Sequence, residues 1–573
     1  MRLLLLTVLA FATALMAFRL TDTTSAARPS FGTKKITAAL RCSPDWELLK
    51  DWLDEVDIPP VPGAGNYKWK ISTQNDSAAF YFNQGINMYY SFHIIEAMAS
   101  FKKAQRFDTN AAMLYWAEAL AYGPNINDVG YSASPDALSA VAKAIALSAS
   151  ATPAEKALIH AQEVRYSADS TQTREHLNQL YVDAMQRAYT EFPGHADIAA
   201  LYADALMLQH PWDLWNKNGT PQPWTPSIQT VLEKLLVKMP THPGANHYYI
   251  HVMEPSPYPQ KAMASANRLG ALTPGLAHTV HMPSHIYLRT GQYDKGVTVN
   301  ENAIAGYKKM MALYPAVSSN DFLYSIHNLH MQTNNALLQG RENYAVQSAI
   351  ATVNSVQKDY LAIPGAMGNL VQYVYMTPVL VDVRFSRWDA LLQMPKPDDA
   401  LVYANVLYHF GRGMAFSAQT KTNEAKTELA AIQLLMKDSV LYLPFTPFSP
   451  AIDGAVIAEN LLTGAIALQE KNNDAAITAF TKAVATENNM VYNEPRDWML
   501  NPGPYLGNAY MQAGNYAAAE KAFRNDLAVN NENGWSLYGL HKSLLAQNKK
   551  TEATKVWVRY QKAFAKTDTQ VKL

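Results

Sequence analysis

Cysteine is nearly missing from this chain: Cys42 is the only one in 573 residues. No intrachain disulfide can form, so the fold relies on packing, and cysteine catalysis is implausible so near the N-terminus. An excess of charge is missing too, with 48 Lys and Arg against 48 Asp and Glu. No global field then recruits nucleic acid or an acidic membrane, and a nucleic-acid partner is not expected. The N-terminal apolar run, Leu3 to Phe18, is 16 residues long, short of the ~20 that a spanning helix needs. It follows Arg2 and precedes small-residue sites at Ala14-Leu15-Met16-Ala17 and Thr24-Ser25-Ala26, and so reads as an export signal over residues 1–26. The expectation is a periplasmic, cell-surface or secreted protein with no transmembrane anchor after signal removal. Cys42 follows Leu40-Arg41 rather than a small-residue lipobox, which argues against a lipid anchor. Also absent are a GxSxG elbow, a phosphate loop, HExxH, and a dinucleotide fingerprint in a strand-turn-helix setting.

What is present is helix and repetition. Hydrophobic content of 49% against 17% charged residues supports a large core, but the length exceeds one compact domain and leaves two domains or a repeat array. From Ser77 onward apolar residues recur three and four apart without sustained β-branched alternation, which predicts helices nearly throughout. Before that, Ile58 to Trp69 is too dense in Pro and Gly for a helix and reads as an extended arm within 27–76. Gly85 is followed by Ala97, Phe101 and Ala104, and Gly464 by Ala476, Phe480 and Ala483, at the same offsets of 12, 16 and 19. Gly507, Ala519 and Phe523, and Gly413 with Ala425, keep part of this frame. Small residues at these offsets let the two helices of a hairpin approach closely, with the aromatic filling the space beside them.

This pattern resembles the tetratricopeptide repeat (TPR), a 34-residue helix-turn-helix unit. Ala513 to Leu527 matches the second half of such a unit, and Gly340 to Ile350 matches it more loosely. The segments "YFNQGINMYYSFHIIEAMASFKKA", "YWAEALAYGPNIN", "HYYIHVMEPS", "HMPSHIYLRTGQYD" and "RFSRWDALL" resemble a group of exported bacterial TPR proteins from about Gly63 to the C-terminus. The resemblance implies an all-α solenoid and carries no settled activity. The expected divisions are 77–225 with a Trp-rich loop, a His-rich stretch over 226–345, further repeats over 346–455, and regular repeats over 456–573.

Nine of the fifteen histidines lie between His210 and His330. His247 and His281 are 34 residues apart, as are His251 and His285, which is one repeat. Each pair is spaced i, i+4 and shares a helix face. Helices packed roughly 8–10 Å apart can share an ion between facing imidazoles, so the four are expected to converge on a metal site, or a pair of them. Pro283 fits only a first helical turn, which predicts a helix starting near Thr279 that carries His281 and His285. Glu254, three after His251, offers a carboxylate; His278 stands at the helix entrance; His327 and His330 add a third wall; His210 is a weaker candidate. Zinc, copper and iron accept such ligands. The other readings are a metal-free, histidine-lined concave groove that holds a peptide, glycan or protein partner, and structural histidines buried and hydrogen-bonded to backbone carbonyls. His93, at the turn of the first repeat, is expected on the surface. The loop Gln209 to Pro226, with three tryptophans, reads as a pinned structural loop, with a lid or a carbohydrate-stacking loop as the alternatives. Tyr492 to Pro504 makes the interval from Ala476 to Ala519 nine residues longer than one repeat, an insertion expected to rim the groove. In Arg384 to Asp389 an internal ion pair is expected.

Overall fold

The computed structural model describes residues 44–570 apart from 129–130, 132, 314–317, 446–447 and 495–496, with backbone only at 313 and 318–323. The proposed signal at 1–26 lies outside the described residues. Those described all belong to one unit, Leu40–Leu573. Among them there is no strand, only isolated bridges at Trp215–Pro221 and Phe445–Phe448. Helices pair as consecutive antiparallel hairpins, including Asp76–Tyr89 with Ile94–Phe107, Ala451–Gln469 with Asn473–Asn489, Tyr516–Val529 after Gly503–Gln512, and Gly534–Ala546 with Lys550–Ala563. This is an all-α array of TPR-like units.

The repeated offsets have a common cause. A side chain on Gly85 would overlap the Phe101 ring, one on Gly464 the Phe480 ring, and one on Gly507 the Phe523 ring. In each hairpin the glycine opens a notch that the aromatic sixteen residues on fills. Ala97, Ala476 and Ala519 are fully buried beside it. Gly413 has Leu429 at that offset instead, and its notch takes Leu462 from the following hairpin.

The turns repeat as closely. Phe92, Gly291, Gly340, Ser386, Thr420, Lys471, Gly514 and Asn548 all have φ between 56° and 73°, and each stands two residues before the next helix. In each, the following N–H reaches back to the carbonyl five earlier, as in His93 to Met88 (3.0 Å) and Asn472 to Ala467 (2.9 Å). That is the bond that ends a helix on a left-handed residue. Lysine and threonine tolerate this at a cost; a bulky phenylalanine there is a genuine outlier.

Sequence reading of the N-terminal arm missed one helix, Trp46–Glu55, whose Asp45 side chain caps the Leu48 N–H. The Pro/Gly stretch after it is extended as expected. Its Val61 N–H donates to Gln84 (2.8 Å), and the Gly275 N–H donates to the Gly63 carbonyl (2.8 Å). Gly63 has φ of 78° and a side chain on Gly275 would strike the Pro62 carbonyl, so both glycines are needed for this crossing. It ties the first hairpin to the start of the histidine-bearing helices.

Candidate metal centre

His247 and His251 share the helix Pro243–Met253, which begins on proline after a His242 cap, and Glu254 terminates it. The next histidine helix is not continuous. It breaks at Met282 into Ala277–His281 and Pro283–Arg289, because Pro283 has no N–H to extend the first segment. His278 and His281 therefore lie in one short helix and His285 in the next. His327 and His330 lie on Ser318–Leu338.

The four in-register histidines do not meet as one set of four. Each i, i+4 pair closes on itself, with the Nε2 atoms of His247 and His251 3.1 Å apart and those of His281 and His285 2.8 Å apart. His278 Nε2 joins the first pair at 3.1 Å from His247, and His327 Nε2 joins the second at 2.9 Å from His281. Two triads result, His247/His251/His278 and His281/His285/His327. The change from expectation follows from the helix break, which swings His278 beside His247 and leaves the rings of His251 and His285 6.5 Å apart.

In His247, His251 and His281 the opposite edge of the ring is held by a hydrogen-bond partner that fixes its tautomer, and in His285 it faces a carboxylate. His247 Nδ1 donates to the Tyr90 carbonyl at 2.7 Å. His281 Nδ1 donates to Asn300 Oδ1 at 2.6 Å, and the Asn300 amide nitrogen donates to the Gly296 carbonyl at 2.7 Å, which orients the amide. His251 Nδ1 donates to Glu254 Oε1 at 3.0 Å. His285 Nδ1 is 2.9 Å from Glu254 Oε2, and Tyr492 donates to that same oxygen at 2.8 Å. With its proton on Nδ1, a neutral imidazole presents a lone pair at Nε2, as His247 and His281 do; His251 does so once it loses the second proton that Glu254 and Glu494 favour. Two such lone pairs 2.8–3.1 Å apart repel unless a proton or a metal cation lies between them. Ligating histidines are oriented in this way by carbonyls and carboxylates on the other nitrogen.

Burial keeps most of these rings neutral. Desolvation, with neighbouring imidazoles, holds His247, His278 and His281 well below the usual range. It pushes His285 and His327 down to about 4 even though Glu494 opposes it. His251 differs: desolvation would lower it, but Glu254 and Glu494 outweigh this and raise it to about 9.

Glu254 is thus placed on the Nδ1 edge, between the triads, as an orienting group; with His251 and Glu494 it forms a third cluster of donor atoms. His330 belongs to neither triad; its ring lies 5.7 Å from Tyr373. His210 also lies outside the triads, stacked on Trp224 at 3.5 Å. His93 is buried, contrary to expectation, with its Nε2 3.4 Å from the His278 N–H that donates to it; the chain crosses the site just after the tight turn.

Four groups escaped sequence reasoning. Glu494 and Tyr492 come from the nine-residue insertion, whose off-register length was their one signal. Phe92 lies 4.4 Å from the His247 ring and Trp212 lies edge-on to His251 at 5.4 Å. Both have φ near 60° and are the only aromatic residues with positive φ among the described residues. Backbone strain of this kind concentrates where a site must hold a group in place. The tryptophan loop is pinned besides, through Trp215 Nε1 to the Val252 carbonyl at 2.7 Å. The expected ion pair at 384–389 is Arg387 with Asp382 at 2.9 Å.

No family model and no curated protein matches the chain. Among solved structures, a human IFIT1 dimer with m7Gppp-AAAA aligns at 12% identity over 90% of this chain and 100% of that one, with a TM-score of 0.33. Yeast Tom70 aligns at 10% over 85% and 92%, TM-score 0.28, and the P58(IPK) TPR domain at 10% over 83% and 99%, TM-score 0.20. Scores this low carry no argument about ligand or activity, and the assignment to helical TPR-like repeats stands on the chain's own hairpins.

Proposed function

We propose that the chain is an exported metal-binding repeat protein holding two ions, one in each histidine triad. The observation that carries this is the convergence of three Nε2 atoms in each triad, with the Nδ1 edges of His247, His251 and His281 already committed to other partners. Three neutral imidazoles suit zinc, copper or iron over magnesium or calcium, which prefer oxygen. Three protein ligands also leave a coordination position open, the mark of a catalytic rather than a closed structural site. An ion so held can activate water or dioxygen, so the reading extends to a metal-dependent hydrolase or oxidoreductase. The helical-repeat framework supports a second reading, a scaffold that holds a peptide, glycan or protein partner.

Elemental analysis of protein purified without a histidine tag tests the first reading. Two ions per chain are expected in the wild type, one after His247→Ala or His281→Ala, and none after combined His251→Ala and His285→Ala, with helix content retained. Azide should perturb the spectrum of a copper- or cobalt-loaded form. Wild-type protein that refuses zinc, copper and iron would overturn the metal reading and leave the scaffold.

A further inference from the structure

A cavity of about 190 Å³ adjoins both triads, for His278 of the first and His327 of the second line it together with Glu494. Its remaining wall is mainly apolar and partly aromatic, including Ile326, Val374 and Phe448, and among the described residues no Lys or Arg lines it. A dry cavity of about 150 Å³ holds a benzene ring, so this one has room for a six-membered ring with a small substituent. Glu494 in the wall, with no Lys or Arg beside it among the described residues, disfavours a ligand that carries a carboxylate or phosphate, which would lose its hydration on entering. Two nitrogens at this cavity have no protein partner although buried: His278 Nδ1 and His330 Nε2. An unpaired buried polar atom costs about 1–3 kcal/mol, and a pure hydrocarbon would leave both unpaired.

We propose that this cavity binds a small uncharged aromatic alcohol, its ring against the apolar wall and its hydroxyl hydrogen-bonded to His330 Nε2. This deepens the two-ion reading, because the ligand would lie against the open side of His278 and His327. It also gives His330 a role outside the triads: a ring buried to 5% exposure, one turn from a triad member, that fixes the ligand's orientation. A site built to pair a hydroxyl discriminates strongly against the analogue lacking it.

Phenol and benzene are the probes, titrated calorimetrically into the full-length protein in metal-loaded and metal-free forms. The expected result is saturable phenol binding, at least tenfold tighter than benzene. His330→Phe, which keeps the apolar wall, should erase that preference. Met367→Trp, which fills the cavity from a half-buried position, should abolish both while two ions remain bound. If Met367→Trp loses its helical signal, His330→Phe alone decides. Phenol binding no tighter than benzene, or unchanged by His330→Phe, overturns the proposal whatever the metal content. Phenol binding with the expected preference in a protein that takes up no metal supports the cavity and overturns the two-ion reading, so the two failures are distinct.

Discussion

The hairpins that carry Phe480 and Phe523 and the histidine helices Pro283–Arg289 and Ser318–Leu338 share one backbone device, a left-handed turn before the helix that follows, yet the two regions fill their interiors with opposite chemistry. In the C-terminal hairpins the space between helices holds Ala476, Phe480, Ala519 and Phe523, all fully buried. In the middle units His247, His281 and His285 are equally inaccessible. A buried phenylalanine contributes its apolar area regardless of conditions. A buried imidazole contributes only while its polar atoms are paired and its charge state is right. The contrast teaches that the repeat is a tolerant frame, which accepts polar, titratable interiors in the middle of the molecule as well as apolar ones at its C-terminal end.

The largest expected effect of that contrast is with pH. In the metal-free protein His285 and His327 are pushed down to about 4 by burial, against roughly 6.5 in an unfolded chain. Between those values the unfolded chain binds more protons, so stability rises with pH. It is fully present above about pH 6.5 and lost as pH falls towards about 4, on the order of 3 kcal/mol for each group. Hydrogen exchange should show protection failing first in 243–330; failure first in 456–563 would break the comparison. Next, Phe480→Ala should cost about 3–5 kcal/mol in a denaturant melt without changing bound metal. Phe92→Gly should cost less, about 2 kcal/mol, since the loss of the ring is partly offset by relief of its backbone, but it should weaken metal at the first triad. Asn300→Leu should then weaken metal at the second triad alone by about 10- to 100-fold in a competitive titration. Smallest, Lys471→Gly at the same turn position should gain up to about 1 kcal/mol, opposite in sign to Phe92→Gly. A loss at Lys471 would show that the two turns are not equivalent.

The repeat was legible in the sequence because its cause is local. Gly85 and Phe101, or Gly464 and Phe480, must keep their spacing for the notch to be filled, whatever surrounds them. The i, i+4 pairs were legible for the same reason. Their partition was not, because a helix break at Met282 rather than a start near Thr279 decides whether His278 or His281 faces His247. The tautomer-fixing partners were still less accessible: the Tyr90 carbonyl carries no side-chain signature, and Asn300 sits among helix-surface residues in the pattern. Calling His93 exposed failed because a turn in a hairpin array is usually at the surface, and this one is covered by the Ala277–His281 helix.

The contact between Tyr492 and Glu254, 238 residues apart in sequence, bears on the order in which the molecule is assembled. A chain that emerges N-terminus first presents the helices from Pro243 to Leu338 long before residues 492–494 exist outside the machinery that delivers them. Nearest-neighbour stacking lets those early hairpins fold as they arrive. During that interval Glu254 lacks the hydroxyl that holds it, and His251 and His285 lack Glu494. The histidine cluster is therefore completed late in folding even though most of its residues are early in the chain. On the two-ion proposal its completion would report that the C-terminal hairpins have docked, and occupancy of the triads would gauge whether a given molecule has finished folding.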